Sequence, residues 1–568
     1  MKKSMLLKAA LGNIPCDLVI KNGKIIDVFN GDIVEQDLGI YNGYFVGIGD
    51  YTGKNEIDIK GKYISPAFID AHIHIESTML TPLEFARVAI KHGSQAVICD
   101  PHEIANVMGI DGIELFIKMS KNLHVEFYFM APSCVPATNM ETSGAAIKSE
   151  HLEYLYKKYP DKILGLAEVM NFPGVMFQDK DIWKKLAISR GKIIDGHCPM
   201  LSGKELNAYI LAGPRSDHEC TTKSEVEEKL KRGMYIFARN GSTQKNLPAI
   251  IPVVNQKNVR NFCLVTDDRH PKELIQKGHM DYNIKEAIKN GADPIWAIQM
   301  ATINPAHYYN LKDIGIISPG YKANFVIIND LFELDVEDVY INGTSASKLK
   351  WKKINIPMKN SINAKIDVDL IKIKDVKGKK VHVIGIKRDE IITEHLILPI
   401  EDVMIKQDNC YIPNINNDIL KLVVIERHKN SGNIGIGFVK GFGINKGAIA
   451  STIAHDSHNI ICAGSNDDDI LFAVELISKT GGGMVVVKDK EVLGHLPLPL
   501  AGLISDRPAE EVMQLEEQIN FSAKQLGDTI TNPFMYLSFL ALPVIPHLKL
   551  TDMGLVDVDK FNFISLFE

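Results

Sequence analysis

The sequence predicts an α/β protein centred on a (β/α)8 barrel. Three observations point there. Between Tyr63 and Pro305, short apolar runs alternate with helical stretches. The runs number eight over about 240 residues, the size and count of one such barrel. Polar residues collect at the C-terminal end of nearly every run, where barrel enzymes build their sites. An open doubly wound sheet is the alternative, and the polar strand ends favour the barrel.

The chain starts "MKKSMLLKAALGNIPCDLVI", two lysines and a short apolar patch. Lys8 breaks the patch and a strand-like run follows, so it reads as a helix of the mature protein and not a signal peptide. Residues 16–65 are short alternating runs punctuated by Asn22-Gly23, Asn30-Gly31 and Asn42-Gly43, hairpin dipeptides that predict a small antiparallel unit within 1–65. In the barrel, 66–305, the strand candidates are "YISPAFIDAHIH", "SQAVICD", "EFYFMAPS", "ILGLAEV", "KIIDGHC", "PRSDHEC", "GMYIFARNG" and "FCLVTDD". Helical runs such as "TPLEFARVAIKHG" and "IDGIELFIKMSKN" separate them. After Pro305 "GIISPGYKANFVIINDL" is strand-like again, and 306–345 is expected to complete the first β unit. Residues 344–365, rich in Lys, Asn and Ser, read as a connection. A third region, 366–568, has βα character in "KLVVIERH", "GAIASTIAHDSHNIICAG" and "GGGMVVVKD".

Composition excludes several classes. In 568 residues, 45% hydrophobic and 24% charged content is ordinary for a soluble globular protein. A net charge of −6 gives no reason to expect nucleic acid, and no apolar run is long enough to span a membrane. The eight cysteines form no CxxC pair and lie scattered in apolar segments, as expected of reduced, buried thiols in the cytoplasm.

Chemistry concentrates at the strand ends. In "FIDAHIHIESTML", His72, His74 and Glu76 share one face for as long as the strand stays extended. Later ends supply Asp100-Pro101-His102-Glu103, Glu168, Asp195-Gly196-His197, Asp217-His218-Glu219 and Thr266-Asp267-Asp268. Each alone is more often a loop cap or a surface group. Together, four histidines and two carboxylates at five strand ends predict a two-metal site. His72, His74 and Asp267 would hold one ion, His197 and His218 the other, and Glu168 would bridge them. Mixed imidazole and carboxylate ligation without thiolate suits Mn, Fe or Zn.

The motifs "PAFIDAHIHIESTMLTP", "DPHEIANV", "GLAEVMNFPGV", "SDHEC" and "VTDDRHP", in this order, resemble the amidohydrolase superfamily and, within it, the microbial adenine deaminases. The runs "ERHKNSGNIGIGFVKGFGINKGAIASTIAHDSHNI" and "LPLPLAGLISD" are similar to that family's C-terminal domain. The resemblance implies a metal-bearing barrel, a β-sandwich built from both of its flanks and a C-terminal α/β domain. It implies two divalent ions, Mn first and Fe or Zn next, a cytoplasmic homo-oligomer (a dimer), and no nucleic-acid or membrane partner. The implied reaction is adenine plus water giving hypoxanthine and ammonia in purine salvage, with the metals supplying hydroxide near neutral pH. Asp267 would relay a proton to the leaving nitrogen, and Glu168 or Glu103 would serve N1. Asp268 would contact a ring nitrogen, with Asp100 and His102 beside the substrate. His455 and His458 would sit on a loop that lids the barrel. One departure is Asn324, where such enzymes usually carry Asp; it lies outside the strand-end set. Cyclic-amide hydrolases of the superfamily often place a carboxylated Lys on strand four, where this chain has Glu168. Zinc nucleobase deaminases share the HxE of His74-Ile75-Glu76 but need a PCxxC that is missing here. A non-catalytic metal-binding scaffold is the remaining alternative, and the complete ligand set argues against it.

Overall fold

The computed structural model describes residues 3–352, 360–366, 369–388, 390–407 and 409–568. The middle of the expected connection, 353–359, lies outside the described residues, as do 367 and 368 near the start of the third region. The chain opens with a helix, Lys3–Ala10, at the lysine-flanked patch.

Alternating apolar residues on either side of the barrel build two packed sheets. One contains Tyr44–Ile48, Leu38–Tyr41, Leu18–Lys21 and Glu56–Asp58. The other joins Lys24–Asp27, Asp32–Glu35 and Tyr63–Pro66 to Phe325–Ile328, Val336–Ile341 and Thr344–Ser345 from beyond the barrel. Phe325–Ile328 pairs antiparallel with Tyr63–Pro66, so chain ends on both flanks share one ladder. Ile20, Ile25, Leu38, Phe45, Ile64, Phe325 and Tyr340 fill the layer between the sheets. At the hairpin tip both Asn42 and Gly43 have positive φ, 49° and 79°, as a tight turn between twisted strands requires.

The barrel strands are β1 (Phe68–His74), β2 (Ser94–Cys99), β3 (Glu126–Ala131), β4 (Ile163–Val169), β5 (Ile193–Gly196), β6 (Ser216–Asp217), β7 (Tyr235–Arg239) and β8 (Phe262–Val265). β1 to β5 pair in parallel, as do β6 to β8. The seam between β5 and β6 is thin: the Arg215 N–H donates to the Ile194 carbonyl at 3.0 Å. On the other side the ring closes through Asp267 and Asp268, which pair with Ile73 and His74 of β1. Ile69, Ala71, Ile98, Met130, Ala167, Phe237 and Val265 pack together inside.

The third region is a mixed α and β unit whose sheet is antiparallel in all but one pair. Its order is Thr393–Pro399, Lys380–Ile386, Ile434–Lys440, Ile419–Ile425, Ile460–Gly464, Ala448–Ser451, Gly483–Lys488 and Glu491–Pro497. Only Lys380–Ile386 and Ile434–Lys440 run parallel. The run "KLVVI" lacks alternation because both faces are covered. Val423 and Ile425 meet the helix Asp467–Thr480, while Leu420, Leu422 and Val424 join the large core shared with the barrel. A second helix, Ala509–Ala523, lies against the helix Pro271–Gln276 that follows β8, with Lys272 and Glu517 ion-paired at 2.9 Å.

No helix among the described residues is long and apolar enough to cross a membrane. All eight cysteines are free, and Cys410 alone is not fully buried. Asn324 sits where sandwich meets barrel: its Nδ2 donates to Gln95 Oε1 at 2.9 Å and its Oδ1 accepts from the Asn342 N–H at 2.7 Å.

Candidate active site

β1 presents its two imidazoles through a change of register. Ile69 and Ala71 face the barrel interior, and Asp70 turns outward, its Oδ2 3.0 Å from His279 Nε2 and its Oδ1 accepting from the Thr266 N–H at 3.2 Å. The ladder to β2 is irregular between Asp70 and Ile73. Beyond it both His72 and His74 turn into the mouth, their Nε2 atoms 3.3 and 3.0 Å from Asp267 Oδ1. The expected third member of the face, Glu76, has left the strand: a 3-10 turn takes over at Ile75–Thr78. Glu76 Oε1 instead accepts from the Ile104 N–H at 3.0 Å. Burial, with Glu103 nearby, pushes its carboxyl up to about 8.

Glu168, at the end of β4, spans the cluster. Its Oε1 lies 3.4 Å from His74 Nε2 and 3.5 Å from His102 Nδ1. Its Oε2 lies 2.7 Å from His197 Nδ1 and 3.1 Å from His218 Nε2. The His72 and His218 rings stack at 4.5 Å, so the two imidazole groups adjoin. Asp100 holds the near side: its carbonyl takes His74 Nδ1 at 3.0 Å and its Oδ2 takes His102 Nδ1 at 3.1 Å. That carbonyl fixes Nδ1–H on His74 and leaves Nε2 free to coordinate.

The donor set suits divalent cations. Buried imidazoles and carboxylates in groups of three or four lie within 4.8 Å of one another, among them His72, His74 and Asp267, and His72, Glu168 and His218. His72 Nε2 is buried and, despite its distance from Asp267, makes no aligned hydrogen bond among the described residues. A cation would take up that lone pair.

Asp267 has a further partner that the strand-end reading left out. Arg239, the last residue of β7, donates from Nη1 to Asp267 Oδ2 at 2.7 Å and from Nη2 to Glu219 Oε2 at 3.0 Å. Burial pushes the Asp267 carboxyl up, and Arg239, His72 and His74 together hold it well below its ordinary range. Arg239 was visible in "GMYIFARNG" as one more polar strand end. A guanidinium is neither a metal ligand nor a proton acceptor, so the strand-end pattern of acids and imidazoles does not include it.

A second polar group adjoins the first. His455 Nδ1 lies 3.0 Å from Glu103 Oε1, bringing the third region onto the barrel mouth. The His455 ring stacks on Phe539 at 4.6 Å. Burial lowers the His455 pKa, but Glu103 overrides it and raises it to about 9. Glu103 in turn is held below its usual range against burial, chiefly by His455. His458 is fully buried behind Glu103, its Nε2 3.9 Å from Glu103 Oε2. Asp268 accepts from the Ser77 hydroxyl and faces the same cavity as His455. A cavity lined by Ser77, Met79, Glu103, Asp268, His455 and Phe539 lies between the barrel and the third region.

Comparison with known proteins agrees with this arrangement. Residues 63–346 match the amidohydrolase family, and residues 390–562 match the adenine deaminase C-terminal domain. An adenine deaminase of Desulfatibacillum aliphaticivorans is 44% identical over 569 residues, covering 99% of each chain. One of Thermosipho africanus is 44% identical over 580 residues, covering 100% of each. With a match to the barrel, a match to the appended domain and identity along the full length, the chain belongs to the amidohydrolase family and, within it, to the adenine deaminases.

Proposed function

We propose that this chain hydrolyses adenine to hypoxanthine and ammonia at the barrel mouth. The observation that carries the reading is Glu168, whose two oxygens face separate imidazole groups while Asp267 stands against His72 and His74. Two divalent cations, Mn first and Fe or Zn next, are assigned to His72, His74 and Asp267 on one side and His197 and His218 on the other, with Glu168 between. Bound there, they would lower the pKa of a water to about 7.

The reaction adds the water oxygen to C6 and breaks the C6–N bond. One water proton ends on N1 and the other on the departing amine. Asp267, kept ionised by Arg239, is the base that takes a proton and returns it to the amine. Glu103 serves N1, with the His455 cation beside it as proton reserve. Asp268, fixed by Ser77, accepts a ring N–H. His102 and Asp100 orient Glu168 and His74. His458 supports Glu103 from behind.

The test is ammonia release from a panel of purines and cyclic amides by the metal-reconstituted protein. Adenine is expected to be the best substrate, with activity abolished by prolonged chelation and restored by Mn or Fe. Full turnover by protein shown to be metal-free would overturn the mechanism, and preference for a cyclic amide would overturn the substrate.

A further inference from the structure

The turn that brings His455 and His458 to Glu103 is polar from His455 to Asn459, with His458 at φ 55°. A residue one strand away holds it. Arg427 follows the strand Ile419–Ile425 and is fully buried. Its Nε donates to the His458 carbonyl. Its Nη2 donates to the Ala501 carbonyl at 2.9 Å and its Nη1 to Ser361 Oγ at 3.2 Å. Its own N–H donates to Asn459 Oδ1 at 3.2 Å. The guanidinium thus ties the His455 turn to the 500–504 turn, whose neighbour Ser505 donates from its N–H to the Met79 carbonyl at 2.9 Å. Met79 is itself a wall of the cavity. Gly502 makes room for this: a Cβ there would come within 2.8 Å of Arg427 Nη1, at a backbone φ of 70°.

We propose that Arg427 is a positioning residue for the reaction. It clamps two turns of the third region so that His455 meets Glu103 over the substrate cavity. A neutral hydrogen-bonding group could not replace it, since three donors in one rigid plane must reach oxygens on three separate segments. The neighbouring loop residue His428 contributes a parallel tie, with Nε2 2.7 Å from the Ser457 carbonyl. The inference rests on the proposed deamination of adenine, and on His455 acting there.

The test is a double-mutant cycle on the metal-loaded, full-length protein, with adenine as substrate. R427M and G502A are each expected to lower kcat/KM by about 10²-fold, the scale on which small misplacement of a reacting group is felt. In an H455A background the same changes are expected to cost less than about threefold, because the group they position is gone. A purely structural role would give equal factors in both backgrounds. Equal factors, or R427M within twofold of the wild type, would overturn the proposal. If R427M fails to fold, G502A, which keeps the arginine and displaces it, decides by the same two numbers. Wild-type protein inactive on adenine would fault the underlying reading instead, and the cycle would then be run on the substrate the panel identifies.

Discussion

In the proposed reaction Asp267 is the base that relays the proton. Its Oδ1 faces two imidazoles and its Oδ2 is tied to Arg239, so one carboxylate meets both the cation-binding face and a fixed counter-charge. Asn at this position would keep the shape and lose the ability to accept a proton. Asp267→Asn is expected to lower kcat by about 10²–10⁴-fold with metal content retained, checked by steady-state kinetics beside metal analysis. Near-normal kcat in metal-loaded variant protein would assign the proton to another group. At this scale the sequence was legible where polar residues collect at strand ends, since parallel barrel strands bring those ends together. Strand ends at His72, His74, Glu168, His197, His218 and Asp267 meet at one mouth. Glu76 could not be placed that way, because the strand stops at His74 and the next turn redirects it. Arg239 required knowing which carboxylate would lack a counter-charge, a fact of three-dimensional neighbourhood.

Elements show the same division. The eight barrel runs could be read because each is short, apolar and bounded by polar ends. The third region could not be read as antiparallel, because strands covered on both faces lose the alternation that marks a hairpin. Its one local clue was the alternating glycine of "NIGIGF". The hairpin Leu548–Thr551 and Gly554–Asp557 crosses that strand so closely that a Cβ on Gly435 would lie 1.9 Å from the Thr551 carbonyl oxygen. Such an approach needs glycine. The same hairpin buries Lys549, whose Nζ donates to the Ile391 carbonyl at 3.2 Å. Burial drives the Lys549 pKa down from 10.5 to about 7. Between those values the unfolded chain binds a proton there that the folded chain does not, so stability rises with pH across that window. The penalty is full below about pH 7 and vanishes above about 10.5. Lys549→Met should therefore stabilise the protein by on the order of a few kcal/mol at pH 7 and by much less at pH 10. Thermal unfolding at the two pH values checks this; a gain independent of pH would mean the amine is charged and solvated in the fold.

Across the whole molecule, the appended unit changes what a barrel mouth can admit. β-strand ends alone would leave an open bowl. Here His455 and Phe539 line one cavity with Glu103 and Asp268, and the helix Ala509–Ala523 packs against the helix after β8. A small flat substrate needs such enclosure. A free base of about ten heavy atoms can supply at most about 1.5 kcal/mol per atom, so nearly every polar edge must be met. In the proposed pose Asp268 accepts a ring N–H, and it would be left without a donor if a ribose replaced that hydrogen. The loss is about 1–3 kcal/mol before any clash with the lid is counted. The clash adds to it, because the wall opposite Asp268 is made of side chains from the third region and not of solvent. Adenosine is therefore expected to be turned over at least about a hundredfold less efficiently than adenine, a difference of roughly 2.7 kcal/mol. The measurement is kcat/KM for both in one metal-loaded preparation. Comparable values would mean that the third region does not close over the substrate, and would shift the reading of the site toward nucleosides.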